Sequence, residues 1–310
     1  MIMKKIGAVI CSAVMAVTLF AGCQNAADRP STETSQATEA EESKDAQSEE
    51  PAEATNESEE VSQETATDPS LKVIQDKGYF IVGLDDSFPP MGYADSNGEI
   101  VGFDIDLAKA VAEKLGVDVQ FQPVVWDNIV QEVDNRNVDV IWNGCTITDA
   151  RKEAFHFSTP YMFNKQVVVV LKDSAFQTLD DLAGKSVAIQ DGSSANIALD
   201  NHPEFKDTLQ EVVGFAENAR ALQDLAANNV DAVIVDSTVY GYYLSLQPDV
   251  YRMLDQDLGS EEFGIAFHKD DNAFREAVDA ALAECLAEGK TAELANKWLG
   301  TDAVLTQSAN

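Results

Sequence analysis

The chain has 310 residues, of which 54 are acidic and 21 are Lys or Arg, so its formal net charge at pH 7 is −33. Such an acidic surface argues against nucleic acid as a partner, because phosphate backbones are bound by basic side chains. Apolar residues make up 45% of the chain, which is enough for a hydrophobic core.

The first 22 residues are typical of an export signal. Two lysines precede an apolar run, Ile6–Phe20, that is short for a membrane span. Small residues then precede Cys23, and the segment resembles a bacterial lipoprotein signal, although Phe20 stands where leucine is usual. We therefore expect a signal peptide over residues 1–22 and a lipid (palmitate) on Cys23, with a plain signal peptide as the alternative.

Residues 23–70 have the composition of a disordered tether. Between Gln24 and Ser70 there are 14 acidic residues, two basic residues and no aromatic residue, and Val61 is the only large aliphatic one. Such a segment cannot bury enough apolar surface to fold. As a flexible coil it would reach roughly 40 Å. The alternative is an acidic tail that binds cations.

Residues 71–302 are long enough for one large domain or two lobes, and they carry 40 acidic and 17 basic residues. Cys145 and Cys285 are far apart in sequence and fit neither a zinc site nor a redox pair, so they are two buried thiols or one disulfide. The three histidines are scattered, which gives no support to a metal site or a Ser-His-Asp triad. We expect no metal and no cofactor.

The folded part is predicted to begin with a strand at 80–84, followed by a turn-rich loop that contains Pro89-Pro90. The segment 104–115 has apolar residues at i, i+3, i+4 and i+7 and ends at Gly116, which predicts a helix with one buried face. A strand, a helix and a strand are predicted next, over 117–121, 126–135 and 138–142. This alternation predicts a mainly parallel, doubly wound sheet.

The alternation then restarts, which favours two α/β lobes. Further strands are predicted at 166–171, 186–190, 211–215, 232–235 and 263–267. Helices are predicted at 178–182, from Ser194, at 219–228 and at 271–288, with a last helix that ends at Trp298. In doubly wound sheets ligands bind beyond the carboxyl ends of the strands, so side chains that directly follow strands are the candidates for function.

One predicted strand is followed by a helix that has a positive charge in its first turn. Residues 142–151, WNGCTITDAR, leave an apolar strand and begin a helix with Thr148 as the N-cap and Asp149 in the first turn. Arg151 in that turn is unfavourable against the positive end of the helix dipole, so we expect an anion to bind there. The alternative is a surface ion pair with Asp149 or Glu153.

Four segments resemble the bacterial extracellular solute-binding proteins, family 3, of the amino-acid type: GFDIDLAKAVAEKLGV, WDNIV, GCTITDARKEAFHFSTPY and VDAVIVDS. The resemblance implies an α/β fold of the two-lobe periplasmic-binding-protein type (type II), in which each lobe has a doubly wound, mainly parallel sheet. Two hinge crossings are implied near 161–165 and 260–264. The implied boundaries are lobe one at 71–163 and 264–302, lobe two at 164–263, and a tail at 303–310.

The same resemblance implies a substrate-binding receptor of an amino-acid ABC importer. Such a receptor captures a polar amino acid by hinge closure and delivers it to a membrane permease that works with an ATPase subunit. We expect a monomer, anchored through Cys23 at the extracytoplasmic face of the cell membrane. The alternatives are a dehydratase-like enzyme on the same fold and the ligand-sensing domain of a signalling receptor.

The resemblance assigns roles to single residues. Arg151 corresponds to the arginine that binds the α-carboxylate of the ligand, and Asp236 to the aspartate that binds its α-ammonium group. Thr146 corresponds to a residue that contacts the ligand main chain, together with Asn143 and Gly144. From the residues alone, the alternatives are that Thr146 forms a turn and that Asp236 caps the helix after it.

Lobe two and the aromatic residues supply the remaining positions. Ser193 and Ser194 correspond to a loop that contacts the carboxylate, although either serine would also suit a helix cap. Gln190 stands where the family sometimes has a basic residue. Phe88 and Trp126 correspond to an aromatic pair around the side-chain stem of the ligand, whereas single aromatic residues are more often core. Trp142, within its strand, is predicted to be core.

Asp85 is the candidate for ligand selectivity, because it corresponds to a family position that accepts hydrogen bonds from ligand side chains. Asp86 adds a second negative charge, which disfavours acidic ligands. We therefore predict a ligand whose side chain ends in an amide or a cation. The alternative is that Asp85 or Asp86 only stabilises the turn before Pro89.

Overall fold

The computed structural model describes residues 68–300. The predicted signal peptide, the lipidation of Cys23, the tether up to residue 67 and the tail 303–310 lie outside the described residues. Between residues 68 and 300, no helix has the length and apolar character needed to cross a membrane.

The first lobe is built on a five-stranded sheet. Its strands are β1 (Tyr79–Leu84), β5 (Asp118–Pro123), β6 (Val140–Ile141), β7 (Phe155–Phe157) and β13 (Ala266–His268), in the spatial order β5-β1-β6-β13-β7. β1 pairs in parallel with β5 and β6, whereas β13 pairs antiparallel with β6 and β7. Four of the five strands therefore run in one direction, as predicted for a mainly parallel sheet.

The helices of this lobe are α1 (Ser70–Lys77), α2 (Phe103–Leu115), α3 (Ile129–Asp134), α4 (Asp149–Ala154), α9 (Asn272–Ala287) and α10 (Lys290–Leu299). A small antiparallel sheet comprises β2 (Ser87–Phe88), β3 (Gly92–Ala94) and β4 (Ile100–Val101). The predicted helix at 126–135 is divided into a 3₁₀ turn, Trp126–Asn128, and α3.

The described part of the chain begins inside the predicted tether. The carboxylate of Asp68 accepts a hydrogen bond from the amide of Ser70 at 2.8 Å and one from the amide of Ala273 at 2.5 Å. These two bonds join the start of α1 to the start of α9. The tether prediction is therefore too long at its end, because composition does not reveal a contact with a helix some two hundred residues later.

The second lobe has the same strand arrangement. Its strands are β8 (Met162–Leu171), β9 (Ser186–Gln190), β10 (Glu211–Phe215), β11 (Ala232–Asp236) and β12 (Tyr251–Phe263), in the order β10-β9-β11-β8-β12. Only β8 runs against the other four. The helices are α5 (Ser194–Asp200), α6 (Pro203–Lys206), α7 (Asn218–Ala226) and α8 (Ser237–Leu246), and the predicted helix at 178–182 is a 3₁₀ turn, Leu179–Leu182.

The chain passes from the first sheet to the second through β8 and returns through β12. These strands pair antiparallel, with Asn164 opposite Glu261 and Met162 opposite Phe263. β12 was not predicted, because its sequence is largely polar and its ladder is interrupted by register shifts. The single strand predicted at 263–267 is instead the end of β12 and the start of β13, with Gly264 and Ile265 between them.

Three side chains in the interior resolve predictions that the sequence left open. Cys145 and Cys285 are both buried and both free, so the disulfide alternative is wrong. Trp142 is 1% exposed and packs its ring against that of Tyr161 at 6.2 Å, which confirms its assignment to the core.

Candidate functional site

A small cavity lies between the two lobes, next to the carboxyl ends of strands from both sheets. Ten of the eleven residues predicted for the site line it. They are Phe88, Trp126, Asn143, Gly144, Thr146, Arg151, Gln190, Ser193, Ser194 and Asp236. Asp85 is buried close by but does not line the cavity.

Arg151 is held at the cavity wall by backbone oxygens. Its Nη1 donates to the carbonyl of Thr146 at 3.0 Å, and its Nη2 donates to the carbonyl of Gly192, in lobe two, at 3.0 Å. The side chain of Thr148 caps α4, as predicted, by accepting from the Arg151 amide at 3.1 Å. Asp149 pairs with Lys152 instead. Between residues 68 and 300, no carboxylate forms an ion pair with Arg151, so the surface-pair alternative is wrong.

The loop between β6 and α4 requires glycine at residue 144. Gly144 has φ of +57°, and a Cβ there would lie 2.8 Å from the ring of Phe88. Its amide donates to the Asp104 carboxylate at 2.7 Å, and the Tyr161 hydroxyl donates to the same oxygen at 2.9 Å. Burial raises the pKa of Asp104 to about 7, although the bonds from Gly144 and Tyr161 oppose this shift.

The predicted aromatic pair lies at the cavity wall. Phe88 is 6% exposed and Trp126 is 7% exposed. The guanidinium carbon of Arg151 lies 5.6 Å from the centre of a Trp126 ring, within the range of a cation–π contact. Phe88 also packs in the main core cluster, so the core interpretation and the cavity interpretation both hold for this residue.

Asp236 ends β11, and its carboxyl group is buried at the cavity wall. Its Oδ1 accepts from Asn164 Nδ2 at 2.5 Å and from Gln166 Nε2 at 3.0 Å. Asp236 is the N-cap residue of α8, but its side chain makes no capping bond, so the helix-cap alternative is wrong. Burial, followed by the charge of Glu261, raises the pKa of Asp236 well above its usual range, and Arg151 opposes this shift.

The lobe-two loop after β9 closes the cavity. The Ser193 hydroxyl donates to the carbonyl of Gln190 at 2.7 Å, so it does not cap α5 through its side chain. The Ser194 hydroxyl lies 3.1 Å from that of Thr146, which joins the two lobes. A Cβ on Gly192 would lie 2.8 Å from Cα of Asp127, so this close approach of the lobes also depends on glycine.

Asp85 has two separate partners. Its Oδ1 accepts from the amide of Ser87 at 2.8 Å and from its hydroxyl at 2.7 Å, which is the turn role that the sequence left open. Its Oδ2 accepts from Gln190 Nε2, across the lobes, at 2.7 Å. Burial raises the pKa of Asp85, whereas the bonds from Ser87 and Gln190 lower it. The backbone amide of Asp85 donates to Asn143 Oδ1 at 3.2 Å.

The wall of the cavity therefore combines a guanidinium and a carboxyl group with hydroxyl and backbone groups. This arrangement suits a small zwitterion, because each charge of the ligand meets its opposite and its remaining polar atoms meet hydrogen-bonding groups. Between residues 68 and 300, no group of three or more metal-binding side chains occurs.

The model of the bacterial extracellular solute-binding proteins, family 3, matches residues 80–301. The chain belongs to this family. The family 3 match spans both lobes and every residue that lines the cavity.

Three proteins show how similar the chain is to characterised relatives. It is 29% identical over 234 residues to the L-cystine-binding protein TcyJ of Escherichia coli strain K12, covering 75% of this chain and 86% of the relative. It is 30% identical over 221 residues to the ABC transporter arginine-binding protein 1 of the same organism, covering 70% and 88%. A substrate-binding protein of an ABC uptake transporter from Streptococcus pneumoniae, solved with bound histidine, has a TM-score of 0.75 and 34% identity, with 78% and 100% covered.

Four polar residues around the cavity were not predicted from the sequence. Asn164 and Gln166 lie on β8, Glu261 lies on β12, and Asp104 is the second residue of α2. The first three occupy the crossing strands, one of which was not predicted. Asp104 carried a usable signal, because it is a charged residue beside the apolar positions 103 and 105 of the predicted helix.

Proposed function

We propose that the protein is the extracytoplasmic substrate-binding receptor of an amino-acid ABC importer. The observation that carries this proposal is the pairing of Arg151 and Asp236 across one small cavity. Arg151 has only neutral hydrogen-bond acceptors around it among the described residues, so an α-carboxylate is the partner it lacks. Asp236 receives the α-ammonium group, and the hydroxyls of Thr146 and Ser194 lie beside the ligand main chain.

Capture proceeds by closure of the lobes around the crossings β8 and β12. Three polar contacts already join the lobes beside the cavity: Arg151 to Gly192, Thr146 to Ser194, and Gln190 to Asp85. A ligand bound in this cavity is enclosed by residues of both lobes. Enclosure of this kind allows a ligand of about ten heavy atoms to bind with micromolar affinity, because nearly all its polar groups are paired.

The ligand is a polar amino acid whose side chain carries an amide or a cation. Asp85 already accepts from an amide nitrogen of Gln190 at 2.7 Å, so the position is suited to a donor. The named relatives bind cystine, arginine or histidine. The side chains of arginine and histidine end in nitrogen donors, and the far half of cystine carries an ammonium group beside its carboxylate. A ligand donor would replace Gln190 at Asp85 or bind alongside it.

The test is a thermal-shift screen of residues 68–300 against the proteinogenic amino acids, L-cystine and L-ornithine, followed by titration calorimetry of each hit. We expect at least one polar amino acid to raise the melting temperature and to bind with a stoichiometry of one. Chromatography of the ligand after long incubation separates binding from catalysis, since a dehydratase-like enzyme would convert it. Absence of binding to all of these ligands would refute the proposal.

We further propose that the mature protein begins at lipidated Cys23 and is held at the cell membrane by that anchor, with residues 24–67 as the tether. Stable anchoring requires more than one acyl chain, which a modified N-terminal cysteine supplies. Mass spectrometry of membrane-fraction protein tests this proposal. An unmodified N-terminus on protein released into the medium would contradict it.

A further inference from the structure

A second carboxyl group, that of Glu261 on β12, lies behind the Asp236 end of the cavity. Its Oε1 accepts from Asn164 Nδ2 at 2.7 Å and from Gln166 Nε2 at 2.9 Å. The same two amide nitrogens contact Oδ1 of Asp236 at 2.5 and 3.0 Å. The two carboxyl groups therefore share both of their amide donors.

Glu261 also connects both lobes. Its Oε1 accepts from the Thr146 hydroxyl of lobe one at 2.9 Å and from the Ser194 hydroxyl of lobe two at 3.2 Å. Glu261 does not line the ligand cavity; it lines a groove on the other side of Thr146 and Ser194 that is open to solvent. It is therefore in a position to act on the ligand through Asp236, without touching it.

The charges around Asp236 do not balance this pair of carboxyl groups. β8 contributes only neutral amides, α8 contributes the Ser237 hydroxyl, and the loop before α4 contributes the hydroxyl of Thr146 and the neutral thiol of Cys145. Among the described residues that line the cavity, Arg151 on α4 is the only cation, and its charge opposes the rise in the pKa of Asp236.

Two ionised carboxylates cannot hydrogen-bond to each other, because both are acceptors. The carboxyl groups of Asp236 and Glu261 share both amide donors, so a proton on one of them relieves the repulsion between them. Burial, followed by the charge of Glu261, raises the pKa of Asp236. The geometry is that of two carboxyl groups that share one proton.

We propose that Asp236 and Glu261 hold one proton between them in the free protein and release it when the α-ammonium group of the ligand binds to Asp236. This inference rests on the proposed function for the identity of the ligand. Only an O–H bond of the pair is broken: the proton passes to solvent through the groove beside Glu261, and the ligand ammonium keeps its three protons. Glu261 is thus a positioning residue that couples ligand binding to proton release.

Calorimetry in buffers of different ionisation enthalpy measures the protons released per ligand. L-arginine and L-cystine are the probes, since neither changes its charge between about pH 5.5 and 7. We expect the wild type to release up to about one proton per ligand, and its affinity to rise by up to about tenfold per pH unit in the range where the pair is protonated. Glu261→Gln removes the second charge, so this variant should release clearly fewer protons per ligand, and its affinity should depend less on pH.

The matched control is Glu262→Gln, which removes the same charge from the next residue of β12 and should release as many protons as the wild type. Equal proton release by the wild type and Glu261→Gln would overturn the proposal, as would a wild type that exchanges no proton at any pH tested. If neither probe binds to the wild type, the proposed function fails for these ligands, and a measurement without ligand decides the inference.

That measurement is the free energy of unfolding by urea as a function of pH. A carboxyl group whose pKa is raised in the folded state stabilises the fold below its unfolded pKa, and this contribution is lost as the pH rises through the folded pKa. The wild type and Glu262→Gln should therefore lose more stability than Glu261→Gln as the pH rises from about 4 to 8. Parallel curves for all three proteins would overturn the shared proton.

Discussion

At the Arg151 end of the cavity, the guanidinium has only neutral acceptors among the described residues, namely the carbonyls of Thr146 and Gly192 and the thiol of Cys145. At the Asp236 end, by contrast, a second carboxyl group, that of Glu261, shares both amide donors of Asp236. The cation is thus surrounded by neutral dipoles, and the anion is placed beside a like charge. Neither arrangement is favourable for the protein alone, because a buried charge is costly unless an opposite charge pairs with it. A zwitterion supplies both missing partners at once.

The difference between the two ends also predicts how each responds to solvent conditions. A guanidinium stays charged at all accessible pH values, so no change of protonation can compensate for the missing anion at the Arg151 end. The carboxyl end can, because a proton replaces the missing cation. We therefore expect mutations at the Arg151 end to affect affinity at every pH, and mutations at the Asp236 end to affect affinity together with its pH dependence.

The largest effect is expected from Arg151→Ala. Loss of the guanidinium leaves the ligand carboxylate buried without a cation, which should weaken binding on the order of 1000-fold, or about 4 kcal/mol. Calorimetry with the ligand found in the screen measures this change.

Lys152→Ala is the control for this prediction, because it removes the next cation of α4, which is exposed and paired with Asp149. It should bind like the wild type, and circular dichroism should show both variants folded. Binding by Arg151→Ala within a few-fold of wild type would contradict the role of Arg151 as the partner of the ligand carboxylate.

Asp236→Ala should weaken binding on the order of 100-fold, or about 3 kcal/mol, at neutral pH. The effect is smaller than that of Arg151→Ala because Glu261, which lies behind Asp236, remains as a negative charge near the ligand ammonium. Removing Asp236 should also abolish proton release on binding. Asp255→Ala, at an exposed position of β12, is the control; a loss of affinity as large in this variant would mean that general charge, not the site, is responsible.

Asp104 allows the effect of burial on a carboxyl group to be tested apart from ligand binding, because its carboxyl group is buried beneath Gly144 but does not line the cavity. Its pKa is raised to about 7, so its contribution to stability is complete below pH about 4 and is lost as the pH approaches 7. From about pH 5 to 7 this loss amounts to about 2 kcal/mol. Over this pH range, the free energy of unfolding of Asp104→Asn should therefore fall by about 2 kcal/mol less than that of the wild type.

The control for that profile is Asp118→Asn, at an exposed position of β5, which should follow the wild type. If Asp104→Asn and Asp118→Asn give the same pH dependence, the assignment of the titration to Asp104 is wrong.

The smallest effect is expected from Asp85→Ala, which should lower the affinity for amide and cationic ligands about tenfold, or about 1.4 kcal/mol, and reduce the preference over glutamate. Asp86→Ala, at the exposed neighbouring position, should change the preference much less. Calorimetric titrations with glutamine, histidine, lysine, arginine, cystine and glutamate decide this. A wild type that prefers glutamate would contradict the selectivity prediction.

The pattern of the sequence predicted much of the scaffold. The strands at 186–190 and 211–215 have the predicted bounds, and helix α2 begins one residue earlier than predicted. The predictions succeeded there because periodic apolar residues are a local signal that tertiary packing reinforces. They failed at β12, where one strand face is polar and the ladder is bulged, and at the short β2, β3 and β4.

By itself, the sequence determined the two alternating α/β lobes, the strand ends at which functional side chains lie, and an arginine in the first turn of a helix. The family resemblance assigned roles to the individual residues. Only the tertiary structure decided which polar side chains share an environment: Asn164 and Glu261 are 97 residues apart and meet because β8 and β12 pair in one register. The physical reason is that periodicity is read over a few residues, whereas the pairing of two distant strands sets which carboxyl group faces another.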